Sequence, residues 1–270
     1  MKLIFQVVIA GGGMIGNSVA CHLIQNGWKD VVIIDKGEAA AGNTKTGSGL
    51  LGLFRPSQER AFVKYCIDYY QALEDKGYDI GLQRSGSLNL ACSKDRFISL
   101  TRRASRYEPT GLECKVLMKD QVHDYHPYLS TEDIYGGNLY FQVIAGLYLS
   151  FTISLAIWVP EDAEVNPKKV SEVFAHIAYQ GGAKFVGNCE VKKVNTNRMT
   201  GHNSNESCYV NGVETSLGHI KCDYFVNCGG IWARTIGTLS QPNVKVPICP
   251  AEHCKFNLKS TYKIFKIKTI

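Results

Sequence analysis

The sequence contains no C-x-x-C pair. Its ten cysteines, at positions 21, 66, 92, 114, 189, 208, 222, 228, 249 and 254, fall at irregular intervals. That spacing excludes a zinc finger or a thioredoxin-type redox centre and points to no metal. Reduced thiols in a cytosolic or organellar protein are the simplest account, because no signal peptide suggests an extracellular disulfide scaffold. No basic stripe interleaves with aromatics, so the net charge of +6 carries no nucleic-acid footprint. Nor is a presequence legible, since Met1 to Gln6 lead directly into an apolar strand. Finally, no charged residue occurs between Asp133 and Glu161.

What is present begins with Phe5 to Ala10, a short β-branched apolar run of the kind a parallel sheet buries. Gly11, Gly13 and Gly16 follow in the spacing G-x-G-x-x-G, then a helical stretch from Asn17 to Asn26 with Gly27 as its stop, then a strand from Val31 to Ile34 closed by Asp35. Each part has a physical task. Gly11 permits the tight strand-to-helix turn, Gly13 lets the backbone approach a pyrophosphate, and Gly16 lets helix and strand pack closely. The helix N-terminus offers N–H donors and positive dipole to phosphates. Asp35 stands where a carboxylate accepts hydrogen bonds from an adenosine ribose, with Lys36 beside it.

The next segment separates FAD from NAD. Lys36 to Leu51 is a small-residue, hydroxyl-rich loop, with Gly42, Thr44, Ser48, Gly49 and Leu50 suited to wrapping a second phosphate and a ribityl chain. Leu50, Leu51, Leu53 and Phe54 anchor it inward, which a flexible linker would not need. Further on, Tyr224 to Cys228 reads as a strand, and Gly229-Gly230 lets the following backbone come close to a ligand before Trp232 and a helix.

The run VVIAGGGMIGNSVACHLIQNGWKDVVIIDKGEAAAGNTKTGSGLL resembles the start of the FAD-dependent family that contains D-amino-acid oxidase, sarcosine dehydrogenase and dimethylglycine dehydrogenase. RSGSLNLACSKDRFISLTRR, GVETSLGHIKCDYFVNCGGIWARTIG and KVPICPAEH follow in the family's order. VPEDAEV at Val159 to Val165, with Gly27-Trp28-Lys29-Asp30, is more similar to the branch that serves as regulatory subunit of mitochondrial pyruvate dehydrogenase phosphatase. The catalytic branch typically carries Asp-Gly where this chain has Asp162-Ala163. The resemblance implies an α/β fold, α+β overall: a Rossmann-like FAD-binding domain with an interleaved, incomplete β-rich substrate domain. It implies FAD at Gly11, Gly13, Met14, Ile15, Gly16, Asp35, Lys36, Gly42, Thr44, Ser48, Gly49, Leu50, Val191, Gly229 and Trp232, with Val191 near the adenine. The dehydrogenases attach flavin through a loop histidine; Thr46 stands at the matching position, so FAD would be held non-covalently. The resemblance also implies a mitochondrial matrix protein whose partner is the phosphatase catalytic subunit, or a small amine if the chain is catalytic.

The domain reading assigns 1–80 and 167–240 to the FAD-binding domain, 81–166 to the substrate side, and 241–270 to the start of a truncated substrate-domain return. The charge-free stretch Phe141 to Trp158 is long enough for a bilayer on hydropathy alone. A span there would divide one sheet across a membrane, so an inserted piece at 141–158 is preferred over a buried loop or a membrane segment. Elsewhere, 60–76 reads as an amphipathic helix whose stripe of Phe62, Tyr65, Cys66, Tyr69, Tyr70 and Leu73 is assigned to the core. Ser85 to Ala91 and Cys114 to Met118 read as strands, Pro167 to Gln180 as a helix, and Asn195 to Gly212 as a polar, turn-rich connection in a hairpin.

Three functions stay open: a regulatory subunit that kept the FAD fold, a dehydrogenase of sarcosine- or dimethylglycine-type amines, and a truncated product that binds nothing. His253 is the one weak catalytic candidate, because Lys255 replaces the aromatic expected two residues later. His123 and His126 fit polar positions on the substrate side.

Overall fold

A computed structural model describes residues 4–126, 136–142, 148–199 and 207–252. The elements run β1 (Ile4–Ala10), α1 (Met14–Gln25), β2 (Val31–Ile34), α2 (Asn43–Thr46), β3 (Leu50–Leu51) and α3 (Ser57–Asp75). They continue with β4 (Ser87–Leu90), α4 (Lys94–Tyr107), β5 (Lys115–Met118), α5 (Val122–Tyr125), β6 (Gly136–Gln142), β7 (Tyr148–Val159) and β8 (Ala163–Glu164). The remainder is α6 (Pro167–Gln180), β9 (Lys184–Val186), β10 (Val191–Met199), β11 (Ser207–Thr215), β12 (Gly218–Asn227) and α7 (Ala233–Thr238). The described residues form two compact units: the chain up to Ser48 together with the chain from Asn166 onward, and Gly49–Val165.

The first unit is α/β. Its sheet has the order β10-β11-β12-β1-β2-β9, in which β12, β1, β2 and β9 are mutually parallel and β10-β11-β12 form an antiparallel meander. Val7 to Ala10 and Val31 to Ile34 are all buried, as strands covered on both faces must be, and this is why they read as unbroken apolar runs. Full burial of each such side chain contributes about 1.5–3 kcal/mol. Helix α1 turns Gly16, Asn17, Ala20 and Cys21 inward, a narrow small-residue stripe beside α6. It stops at Asn26-Gly27, where Gly27 takes the left-handed conformation at φ 84°. Helix α6 starts on an Asn166 cap whose side chain accepts from the Lys168 and Lys169 amides, with Pro167 in the first turn. The hairpin expected around 195–212 is present as the antiparallel β10–β11 pair, with strand reaching further into it than expected: β10 continues to Met199 and β11 resumes at Ser207.

The second unit packs helices on an antiparallel sheet of order β4-β7-β5, with β6 on β7 and a separate β3-β8 pair. Its core joins Leu53, Phe54, Ile67, Leu100, Ala104, Tyr107, Ile157 and Val159. A buried carboxylate staples it: Asp162 Oδ1 accepts from the Leu53 amide at 2.7 Å and Oδ2 accepts from the Ser87 hydroxyl at 2.5 Å.

The structure bears on several sequence expectations. By packing, the opening part of the first unit ends at Ser48, where the reading above extends the FAD-binding part to residue 80, and Ile67 of α3 packs in the core of the second unit. The stripe of α3 is core only in part: Phe62 is 68% and Tyr65 55% exposed, Cys66, Tyr69 and Tyr70 are half-buried, and Leu73 is buried, as is Ile67 outside the stripe. Within the charge-free run, residues 141–142 and 148–158 are strand, and Ala156 and Ile157 are fully buried in register with β4 and β5, while 143–147 lie outside the described residues. Among the described residues no helix is long and apolar enough to cross a membrane. Helix α4 was missed altogether; its Ser93 side chain accepts from the Arg96 amide at 3.2 Å as a cap.

Candidate functional site

The site of interest lies at the carboxyl ends of β12, β1 and β2. Strand order reverses there: β1 connects onward to β2 on one side and pairs with the distant β12 on the other. Such a switch point is where open α/β sheets leave a crevice for ligands.

Gly11 leaves β1 at φ 113°, and a Cβ on it would sit 2.2 Å from the Cys228 carbonyl oxygen. A Cβ on Gly16 would lie 1.8 Å from the Gly11 carbonyl oxygen, so the first turn of α1 can close over the turn only with glycine at both positions. Gly13 is the extended N-cap residue of α1 and makes no side-chain cap. No acidic residue occupies the first turn of the helix. Its leading amides therefore have no intrahelical acceptor and meet an uncompensated positive dipole end. The Thr44 hydroxyl accepts from the Met14 amide at 2.9 Å, which brings α2 of the hydroxyl-rich loop onto this helix end. Having accepted that hydrogen bond, the hydroxyl keeps its own proton to donate.

Asp35 braces the turn from the neighbouring strand. Its Oδ2 accepts from the Gly12 amide at 2.7 Å and its Oδ1 from the Gly37 amide at 2.8 Å. Each carboxylate oxygen retains a further lone pair for a ribose hydroxyl. On the far side of β1, the Cys228 amide continues the parallel pairing by donating to the Ala10 carbonyl. Asn227 closes the next turn, accepting from the Gly229 amide at 3.2 Å and donating to the Ala233 carbonyl at 2.8 Å. Burial pushes the Cys228 thiol up to about 11, which keeps it neutral beside this turn. Lys36 reaches across to this side, with its Nζ 3.5 Å from the centroid of the Trp232 ring.

Thus Gly11, Gly13, Met14, Ile15, Gly16, Asp35, Lys36, Thr44, Gly229 and Trp232 lie at or beside the carboxyl ends of β1, β2 and β12. Gly42 caps α2, and Ser48 ends the first unit. Gly49 and Leu50 belong to the second unit, where the Gly49 carbonyl accepts from the Val165 amide and Leu50 pairs with Glu164. Val191 opens β10 and packs partly buried against the core of the first unit. His253 lies outside the described residues. Sequence reasoning missed Asn17, whose fully buried amide donates to the Gly12 carbonyl and to Ser171 of α6. The available signal was its place on the inward stripe with Ala20 and Cys21, where a polar residue must find partners.

Backbone amides at a helix N-terminus, a bracing carboxylate one strand over and an aromatic–cation pair opposite fit a dinucleotide with its diphosphate on α1. Among the described residues, no group of His, Cys, Asp and Glu could hold a metal ion.

The sequence profile of the FAD dependent oxidoreductase family matches residues 6–263. The mitochondrial pyruvate dehydrogenase phosphatase regulatory subunit of Mus musculus is 35% identical over 250 residues, covering 92% of this chain and 25% of that protein. The mitochondrial dimethylglycine dehydrogenase of Rattus norvegicus is 27% identical, over 92% of this chain and 26% of its own length. The chain thus spans about a quarter of the length of these relatives. Among solved structures, glycine oxidase from Bacillus cereus ATCC 14579 superposes with a TM-score of 0.65 at 27% identity, covering 86% of this chain and 57% of that one.

Proposed function

Because the chain belongs to the FAD dependent oxidoreductase family, we propose that its first unit holds the ADP half of FAD non-covalently. We also propose that the protein acts as a regulatory subunit of pyruvate dehydrogenase phosphatase in the mitochondrial matrix. The observation that carries the cofactor reading is the Gly11–Gly16 turn braced by Asp35. In this reading the α1 amides and the Thr44 hydroxyl hold the diphosphate, Asp35 takes the ribose, and Gly229 and Trp232 line the opposite wall. The two units are read as the FAD-binding half and the substrate side. Non-covalent binding is supported by Thr46, which offers no imidazole and donates its hydroxyl to the Asn43 carbonyl at 3.3 Å.

The regulatory role is supported by the 35% identity with the mouse subunit, and its partner would be the phosphatase catalytic subunit. A second reading is favoured by the dimethylglycine dehydrogenase relative: oxidation of a secondary or tertiary amine, for which bound FAD supplies the hydride acceptor. This chain's part would be to orient the amine and exclude water; no described residue is assigned as base.

One preparation tests all of this. The purified chain should carry a flavin spectrum that denaturation releases into the supernatant. Colour that survives anaerobic sarcosine or dimethylglycine, with co-purification of the catalytic subunit, is the expected result. Bleaching by either amine would transfer the assignment to the dehydrogenase. A colourless protein that gains no flavin on titration with FAD would overturn the cofactor reading itself.

A further inference from the structure

Helix α4 carries a feature that the cofactor reading does not use. Its inner face is apolar, with Leu100, Ala104 and Tyr107 buried. Asp95, Ser99, Arg102 and Arg106 follow at helical spacing on the opposite side and, with Ile98 and Arg103, line a groove of about 440 Å³. Arg103 is fixed in place: its Nη2 donates to the Phe54 carbonyl at 2.8 Å, and its guanidinium lies 4.8 Å from the Phe54 ring centroid. Arg102 and Arg106 are exposed, and no ion pair or side-chain hydrogen bond engages either among the described residues. They sit one helical turn apart, where like charges repel and destabilise the helix. Two unpaired guanidinium groups so placed gain most from a partner that brings negative charge to both.

We infer that this groove is a docking surface for an extended acidic segment of a protein partner, with carboxylates of an acidic-x-acidic sequence on Arg102 and Arg106. Side chains two apart in an extended chain point to one side and are roughly 6–7 Å apart. Neighbours four apart on a helix surface have Cβ atoms about 5–6 Å apart, so the two spacings match. Each guanidinium can then engage its carboxylate through two parallel N–H···O bonds. Asp95, about 10 Å further along the helix axis at 1.5 Å per residue, repels anions and limits the acidic stretch at that end. The inference rests on the second unit alone and stands apart from the cofactor reading.

The test uses the whole chain and a fluorescein-labelled peptide with a Glu-Ser-Glu core in Gly/Ser flanks, read by anisotropy against a Gln-Ser-Gln control. The Glu peptide should bind at least about ten-fold tighter than the control, and the preference should shrink as salt rises. Arg102→Glu combined with Arg106→Glu should abolish the preference without altering the far-ultraviolet spectrum or the melting midpoint. Arg96→Glu, outside the groove, should retain it. If charge reversal unfolds the chain, the milder pair Arg102→Gln and Arg106→Gln carries the same expectation. Equal binding of the two peptides, or a preference that survives the double substitution, would overturn the inference. So would binding to phosphatidylserine vesicles with no binding of the Glu peptide.

Discussion

Asn17 Nδ2 lies 3.1 Å from the Gly12 carbonyl oxygen, 2.9 Å from Ser171 Oγ and 3.3 Å from the Ser171 carbonyl oxygen. One buried amide therefore ties the glycine turn to α6, across 154 residues of sequence. The turn is the part of the candidate site whose shape must be held to a fraction of an ångström, and this contact holds it from behind.

Replacing Asn17 with Ala strips partners from buried backbone and hydroxyl groups and leaves a small cavity. The expected loss is about 2–4 kcal/mol, the range for orphaning buried polar groups and emptying a core site. It should appear as a lower urea midpoint with an unchanged slope. Asn17→Asp, similar in shape but unable to donate, should be at least as harmful. Ser171→Ala, which removes one of the three acceptors, should cost about 1 kcal/mol. A larger loss of FAD affinity in Asn17→Ala than in Ser171→Ala would show that the Gly12 contact matters most for the site.

Gly16→Ala should disable the turn. Its Cβ would overlap a backbone oxygen at 1.8 Å, which no rotamer change relieves. The expected outcome is a stability loss of about 3 kcal/mol or more together with failure to retain flavin. Gly42→Ala provides the contrast, because nothing lies within 4 Å of a Cβ there. Its melting curve should shift by no more than about 0.5 kcal/mol, so any loss of flavin in that variant reports direct contact.

The strand–glycine turn–helix–strand–Asp35 order was legible because each part is local: the period of the apolar residues, the glycine spacing and a terminal acid. Asn17–Ser171 and Lys36–Trp232 were not, because their partners meet only after the chain has left and re-entered the first unit. Helix α4 was hidden by its charge. Its buried residues Leu100, Ala104 and Tyr107 are few and separated by arginines, so the 3.6-residue period is carried by a minority of positions. The stripe on α3 misled for the opposite reason. Aromatic bulk placed Phe62 and Tyr65 on the buried face together with Leu73, while the smaller Val63 and Ile67 in fact meet the core.

That rotation of α3 is itself testable. Phe62→Ser, at a site 68% exposed, should change stability by no more than about 0.5 kcal/mol. Ile67→Ala, buried among Leu53, Leu100 and Ile157 in one cluster, should cost about 2–5 kcal/mol. Chemical denaturation of the two variants side by side decides the orientation. A larger loss for Phe62→Ser than for Ile67→Ala would mean that the aromatic face is the buried one after all.

Asp162 gives the chain a pH dependence of known sign. Burial pushes its carboxyl above the usual carboxylate range, against the opposing pull of the Ser87 hydroxyl, the Leu53 amide and the positive charge of Arg55. The folded state therefore binds its proton more tightly than the unfolded state, whose carboxyl titrates near pH 3.9, about the model-peptide value. Between that pH and the raised folded pKa the native protein holds more protons, so its stability falls as pH rises through the window. Asp162→Asn should remove this component, since the amide can still accept from Leu53 and can donate to Ser87. The difference in unfolding free energy between wild type and Asp162→Asn should thus move in favour of wild type as pH falls towards 4, and level off at neutral pH. Urea titrations of both proteins from pH 4 to 8 measure it directly. A difference that moves in favour of wild type as pH rises would mean that the hydrogen bonds outweigh burial and hold the carboxylate ionised.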